Sequence, residues 1–205
     1  MNPLDSTRNL VRKLMHVIAV ALNKLSAGKL TPNTVTIVGL LAHLPIAYLI
    51  ATRHNLKAAA LLVIFGLFDT LDGELARLQK RDSPAGMLLD ASTDRMKEVL
   101  LYTGAAYAIA LTDKPQMAAW AVVACGASLT VSYVKAKGET AVAKSNITTT
   151  EVNKLFADGL MRFEVRMVAL IVGLLTNRLL EAVIIIGVLS SITATNRLIK
   201  ISRKI

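Results

Sequence analysis

The chain has 205 residues, 54% of them hydrophobic, with a mean hydropathy of +0.52 and one cysteine, Cys125. It is more apolar than an ordinary soluble domain, and a single cysteine excludes a small fold stapled by internal disulfides. Its 24 Lys and Arg against 14 Asp and Glu give +10; in so apolar a chain that excess reports which side of a membrane the loops occupy rather than nucleic-acid binding.

The N-terminus MNPLDSTRNLVRKL is polar, and no short apolar run with a small-residue cleavage site follows it, so no signal peptide is expected. Residues 5–26 alternate cations with apolar residues at helical spacing, which predicts an amphipathic helix lying at the membrane interface. The first span runs from about Pro32 to Ala51; its entry LTPNT offers Thr31 as N-cap and Pro32 as first helical residue. The second runs from about Leu56 to Leu78 and is ended by DSP at 82–84, since proline disfavours helix in the residue before it. The third covers about Ala85 to Leu111, and TDKPQ then makes a tight turn. The fourth covers about Met117 to Ala136 and leads into the polar stretch GETAVAKSNITTTEVNK, the longest expected loop. The fifth covers about Met161 to Thr176, the sixth about Leu179 to Thr193, and the tail TNRLIKISRKI is cationic.

The expected fold is an all-α integral membrane protein: six transmembrane helices preceded by the amphipathic interfacial helix. Residues 1–205 form a single domain, with 1–30 juxtamembrane and 31–205 the six-helix core. Six spans put both termini on one side. Of the 24 Lys and Arg, only Arg53, Lys57, Lys114 and Arg178 fall in the opposite loops, so the side of the termini is expected to be cytoplasmic.

Into this apolar sequence the segment FDTLDGELARLQKRDSPAGMLLDASTDR, residues 68 to 95, brings Asp69, Asp72, Asp90 and Asp94. Spacings of three and four place each pair on one helix face, and the DSP turn makes the two helices antiparallel neighbours. Carboxylates inside spans are costly and usually functional. Four that converge need cations, and oxygen-only donors suit Mg²⁺, with Mn²⁺ or Ca²⁺ as alternatives. Gly73, Ala76 and Gly86 leave room for a phosphate to approach backbone, and Arg77 could hold its charge. Small residues in spans also serve close helix packing.

The run from Asp69 to Asp94 resembles the signature of the CDP-alcohol phosphotransferases, D-x2-D-G-x2-A-R-x8-G-x3-D-x3-D. Asp69, Asp72, Gly73, Ala76, Arg77, Gly86, Asp90 and Asp94 fill every fixed position. The resemblance implies transfer of a phosphatidyl-type group from a CDP-linked lipid to an alcohol hydroxyl, with release of CMP. It implies a first ion on Asp69, Asp72 and Asp90 and a second on Asp90 and Asp94, with Asp94 as general base. It implies a homodimer in the cell membrane with its site on the cytoplasmic side.

SYVKAKGE at 132–139 resembles a stretch of the phosphatidylinositol phosphate synthases, and that resemblance implies that Ser132, Lys135, Arg166 and Arg197 surround an acceptor phosphate. Several cations beyond the diphosphate site favour a phosphorylated acceptor, inositol 1-phosphate first and glycerol 3-phosphate second. Taken singly, these cations also fit snorkelling or topology. A small cation transporter would spread its acids along a path, and prenyl-transfer enzymes separate their Asp-rich motifs; four acids clustered at one face fit neither as well.

Overall fold

The computed structural model describes residues 3–142 and 159–203, and among them every regular element is helical. In chain order these are α1 (Pro3–Leu25), α2 (Pro32–Ala51), α3 (Asn55–Gly66), α4 (Phe68–Gln79), α5 (Pro84–Ala110), a 3-10 turn (Pro115–Ala118), α6 (Ala119–Val142), α7 (Phe163–Leu175) and α8 (Leu179–Ser202).

Local chemistry explains the boundaries. Thr31 caps α2: its Oγ1 accepts the Thr34 backbone N–H at 3.2 Å, and Pro32 opens the helix where no N–H is needed. The second expected span is interrupted once, at Leu67 after Gly66, and so becomes α3 and α4. α4 ends at Gln79, before the DSP turn, because Lys80 adopts a left-handed conformation with φ 52°. The Arg81 N–H then reaches back to the Ala76 carbonyl at 2.9 Å, which satisfies an end-of-helix acceptor.

Two boundaries lie further on than hydropathy suggests. α6 continues past Ala136 to Val142, so the first residues of the expected loop are helical; the remainder of that loop lies outside the described residues. α8 continues past Thr193 to Ser202, making most of the cationic tail helix. Lys135 and Glu139 pair four apart on the polar end of α6, a pattern that prolongs a helix without adding apolar residues.

The chain divides into two compact units, Met1–Ile46 with Ala60–Leu100, and Ala47–Ala59 with Leu101–Ile205. In the first, α1 packs on α4. Met15 and Ala19 of α1 meet Val35, Leu71 and Leu75 in a buried cluster edged by Val11, Ile18 and Leu22. In the second, α6 packs on α8 and α7 on α8. A Cβ on Gly187 would press on Val123 and Ala124, and one on Gly104 would strike the Ala47 carbonyl, so both glycines permit backbone contact.

Among the described residues, three helices are long and apolar enough to cross a membrane: Pro32–Ala51, Pro115–Ala141 and Leu179–Ser202. On α2, Ile37, Leu41, Leu44 and Tyr48 form an exposed stripe at helical spacing, as do Ile185, Val188, Ile192 and Ile199 on α8. Stripes of this kind are liabilities in water and the normal outer face of a helix in lipid.

Candidate active site

α4 and the first part of α5, up to Leu100, belong to the same compact unit and carry the four aspartates. On α4, Leu71 and Leu75 turn toward α1, and Asp72 is buried with them, 5% exposed. Such a carboxylate needs partners. Thr36 of α2 supplies one, its Oγ1 donating to Asp72 Oδ2 at 2.6 Å. On α5, Lys97 is 1% exposed, and its ammonium donates to Asp69 and, at 3.2 Å, to Asp94 Oδ1. Arg95 stands 3.7 Å from Asp94 Oδ2 and pairs with Glu98 at 2.6 Å. Asp90 Oδ1 is buried with no hydrogen-bond partner among the described residues. The four carboxylates are near enough to repel one another.

Among the described residues, no group of three or more Asp, Glu, His or Cys side chains stands ready to hold a metal ion. An ammonium lies between two of the carboxylates instead, and a third carboxylate leaves an oxygen unsatisfied. An all-oxygen donor set with a resident cation and a buried, partnerless oxygen suits a hard divalent ion.

Arg77 is engaged within the protein: its Nη2 donates to Glu74 Oε1 at 2.6 Å. Glu74, 7% exposed, also receives Arg12 Nε at 3.3 Å, and His16 Nδ1 lies 3.3 Å from its other oxygen. Lys97 and Glu74 are the site residues that sequence reasoning missed. The available signal was their spacing, three after Asp94 and three before Arg77. A Cβ on Gly73 would meet nothing closer than the Arg77 guanidinium at 3.6 Å, so the glycine leaves an opening beside that arginine. Ala76 is half-buried on the same helix. Gly86 has a local purpose. Its N–H is accepted by Ser83 Oγ at 3.1 Å in the first turn of α5, and a Cβ there would stand 3.2 Å from that hydroxyl.

The remaining expected residues lie in the second unit. Arg166 of α7, 1% exposed, donates to the Met161 carbonyl at 2.7 Å and lies over the Phe163 ring. Arg197 of α8 is also buried and donates to the Val131 carbonyl at 3.3 Å. The charges of Arg162, Arg166 and Glu139 act on Arg197, so these groups are close. Ser132 donates to the Ser128 carbonyl at 3.3 Å. Lys135 is different: it is exposed and pairs with Glu139 at 3.8 Å. The fold thus brings Arg166 and Arg197 into one charged neighbourhood and leaves Lys135 at the surface.

The family model for CDP-alcohol phosphatidyltransferases matches residues 29–194. A phosphatidylinositol phosphate synthase of Corynebacterium glutamicum is 37% identical over 132 residues, which are 62% of this chain and 60% of that relative. The chain therefore matches about three fifths of that relative's length. A crystal structure of the Mycobacterium tuberculosis phosphatidylinositol phosphate synthase with CDP-DAG bound superposes with a TM-score of 0.77 at 25% identity, covering 92% of this chain and 94% of that one. The same enzyme in complex with manganese and citrate gives a TM-score of 0.78 at 24% identity, covering 92% and 88%.

Proposed function

The chain belongs to the CDP-alcohol phosphatidyltransferase family, and on that premise we propose that it transfers a phosphatidyl-type group from a CDP-linked lipid to a phosphorylated polyol. The donor is CDP-diacylglycerol or CDP-archaeol, the acceptor inositol 1-phosphate, and the products phosphatidylinositol phosphate, or its archaeol analogue, and CMP. One observation carries the reading: the four signature carboxylates of α4 and α5 lie close together within one compact unit, two of them on a buried ammonium. The name of the Corynebacterium relative supports the acceptor, and the CDP-DAG of the 25%-identical structure supports the donor.

Asp69, Asp72 and Asp90 would hold one divalent ion and Asp90 and Asp94 a second, Mg²⁺ or Mn²⁺; a structure of the same fold was solved with manganese. Bound there, such ions supply charge neutralisation and Lewis acidity toward the diphosphate. The chain's own residues do the rest. Thr36 fixes the orientation of Asp72. Asp94 takes the proton of the attacking hydroxyl as general base. Gly73 leaves space for the diphosphate beside Arg77, and Glu74 holds that guanidinium in place until phosphate oxygens compete for it. Ala76 and Gly86 line the donor side. Ser132, Lys135, Arg166 and Arg197 bind the acceptor phosphate, with arginine supplying paired donors.

The same proposal includes the setting. The protein is one membrane domain of six spans in the cell membrane, assembled as a homodimer. α1 lies along the interface, and the site and both termini face the cytoplasm. The three long apolar helices and the sorting of Lys and Arg along the chain support it.

The test incubates purified protein with CDP-diacylglycerol, Mg²⁺ and one acceptor at a time, and measures CMP. Release with inositol 1-phosphate is expected. Release with glycerol 3-phosphate alone would move the acceptor, and none with any alcohol would sink the reaction class.

A further inference from the structure

We propose that Lys97 is a built-in occupant of the divalent-cation site: its ammonium bridges Asp69 and Asp94 and is displaced when an ion takes their oxygens. This rests on the metal reading above. It makes Lys97 a positioning residue and an internal competitor of the ion.

The geometry leads there directly. Asp69 belongs to α4 and Asp94 to α5, so the ammonium ties the two helices at the point where their carboxylates meet. A lysine 1% exposed is tolerated only when its charge is matched, and here both matching groups are carboxylates of the site. The ammonium has three donors and no acceptor, which makes it a serviceable stand-in for a small cation among carboxylates. It covers only part of the cluster. Asp72 Oδ2 has the Thr36 hydroxyl, and Asp90 Oδ1 has no partner among the described residues. The remaining negative charge still draws a divalent ion, while the positive charge of Lys97 opposes it at close range. The flexible four-carbon stem lets the ammonium withdraw without movement of α5.

Two consequences follow that a merely structural lysine does not share. Removing the charge weakens the metal-free protein yet tightens ion binding, and the ion then replaces the lost support. The experiment titrates Mn²⁺ into the full chain in detergent, with free ion read by electron paramagnetic resonance and thermal melting measured with and without Mn²⁺. Lys97→Met is expected to lower Kd for Mn²⁺ by about tenfold or more, since a like charge a few ångströms away costs more than one decade of affinity. Its metal-free Tm falls below wild type and recovers with Mn²⁺, whereas Lys97→Arg behaves as wild type. Lys97→Gln, which keeps a neutral N–H donor on a side chain one bond shorter, follows Lys97→Met in affinity with a smaller loss of Tm. A folded Lys97→Met that binds Mn²⁺ no tighter than wild type overturns the proposal. Failure of both uncharged variants to fold even in excess Mn²⁺ overturns it too, because the ion should take the ammonium's place. If wild type binds Mn²⁺ and Asp90→Asn loses it, the metal reading stands whatever Lys97 does; if wild type binds none, that reading fails and takes this one with it.

Discussion

The two ends of the carboxylate cluster are held differently, and the difference predicts separable phenotypes. Asp72 is buried and accepts one short hydrogen bond from Thr36, a posture suited to a fixed ligand. Asp94 is held by charges, Lys97 at 3.2 Å and Arg95 at 3.7 Å, and is the proposed base. Asp94→Asn should therefore abolish nearly all turnover while the protein still binds CDP-lipid. Asp72→Asn should lose binding as well, and equal loss of CDP-lipid binding in both, read by a direct binding titration, would contradict the assignment. Thr36→Val keeps the size of the side chain and removes one charge-assisted hydrogen bond, worth about 1.5–3 kcal/mol. Mn²⁺ affinity should fall about ten- to a hundredfold, and Thr36→Ser should restore it. The aspartates were legible in the sequence because their spacing is fixed and charge is conspicuous in apolar helices. Lys97 and Glu74 were not. A cation or acid three residues from an opposite charge reads as an ordinary surface pair, and only the packing of α4, α5 and α1 buries them.

Among the helices, the sequence reading located α2 to the residue and α5 within one residue at each end, and blurred others for identifiable reasons. α5 was legible although it carries Asp90, Asp94, Arg95, Lys97 and Glu98, because the DSP and TDKP turns punctuate both of its ends. α3 and α4 share one apolar run broken at Leu67, a break that periodicity does not announce after a lone glycine. The polar ends of α6 and α8 are helical because Lys, Glu and Arg favour helix; hydropathy reports the bilayer and not the helix. The interfacial expectation for α1 did not foresee its packing on α4, where Met15 and Ala19 are buried and Arg12 meets Glu74. Two substitutions grade what holds these elements. Thr31→Ala removes the α2 cap and should cost about 1 kcal/mol. Gly104→Val drives a side chain against the Ala47 carbonyl, where backbone must move, and should cost about 1–3 kcal/mol or more. Thermal melts of the detergent-solubilised variants should show a small fall for the first and a large one for the second; the reverse order would mean that α5 approaches α2 less closely than described.

For the molecule as a whole, the candidate donor and acceptor residues divide as the chain does. The carboxylate cluster belongs to one compact unit, and Arg166 and Arg197 belong to the other. The family match at 29–194 draws on both. If donor and acceptor chemistry are partitioned in this way, substitutions in the second unit should change acceptor kinetics and leave Mn²⁺ affinity and the KM for CDP-lipid nearly untouched. Arg166 and Arg197 are buried, and their charges already crowd one another, a cost that a bound phosphate would relieve. On the proposed reading each would supply a charge-assisted hydrogen bond worth about 1.5–3 kcal/mol, so Arg197→Gln should raise the KM for inositol 1-phosphate about ten- to a hundredfold. Lys135 is exposed and engaged with Glu139, so Lys135→Ala should do less. Both arginines also donate to backbone carbonyls, Met161 and Val131, and a purely structural role would appear as lost stability with an unchanged acceptor KM. Initial rates against both substrates, with melting curves on the same preparations, separate the two. A rise confined to the acceptor KM, larger for Arg197→Gln than for Lys135→Ala, is the expected pattern; equal rises for both substrates would show that the second unit supports the donor site instead.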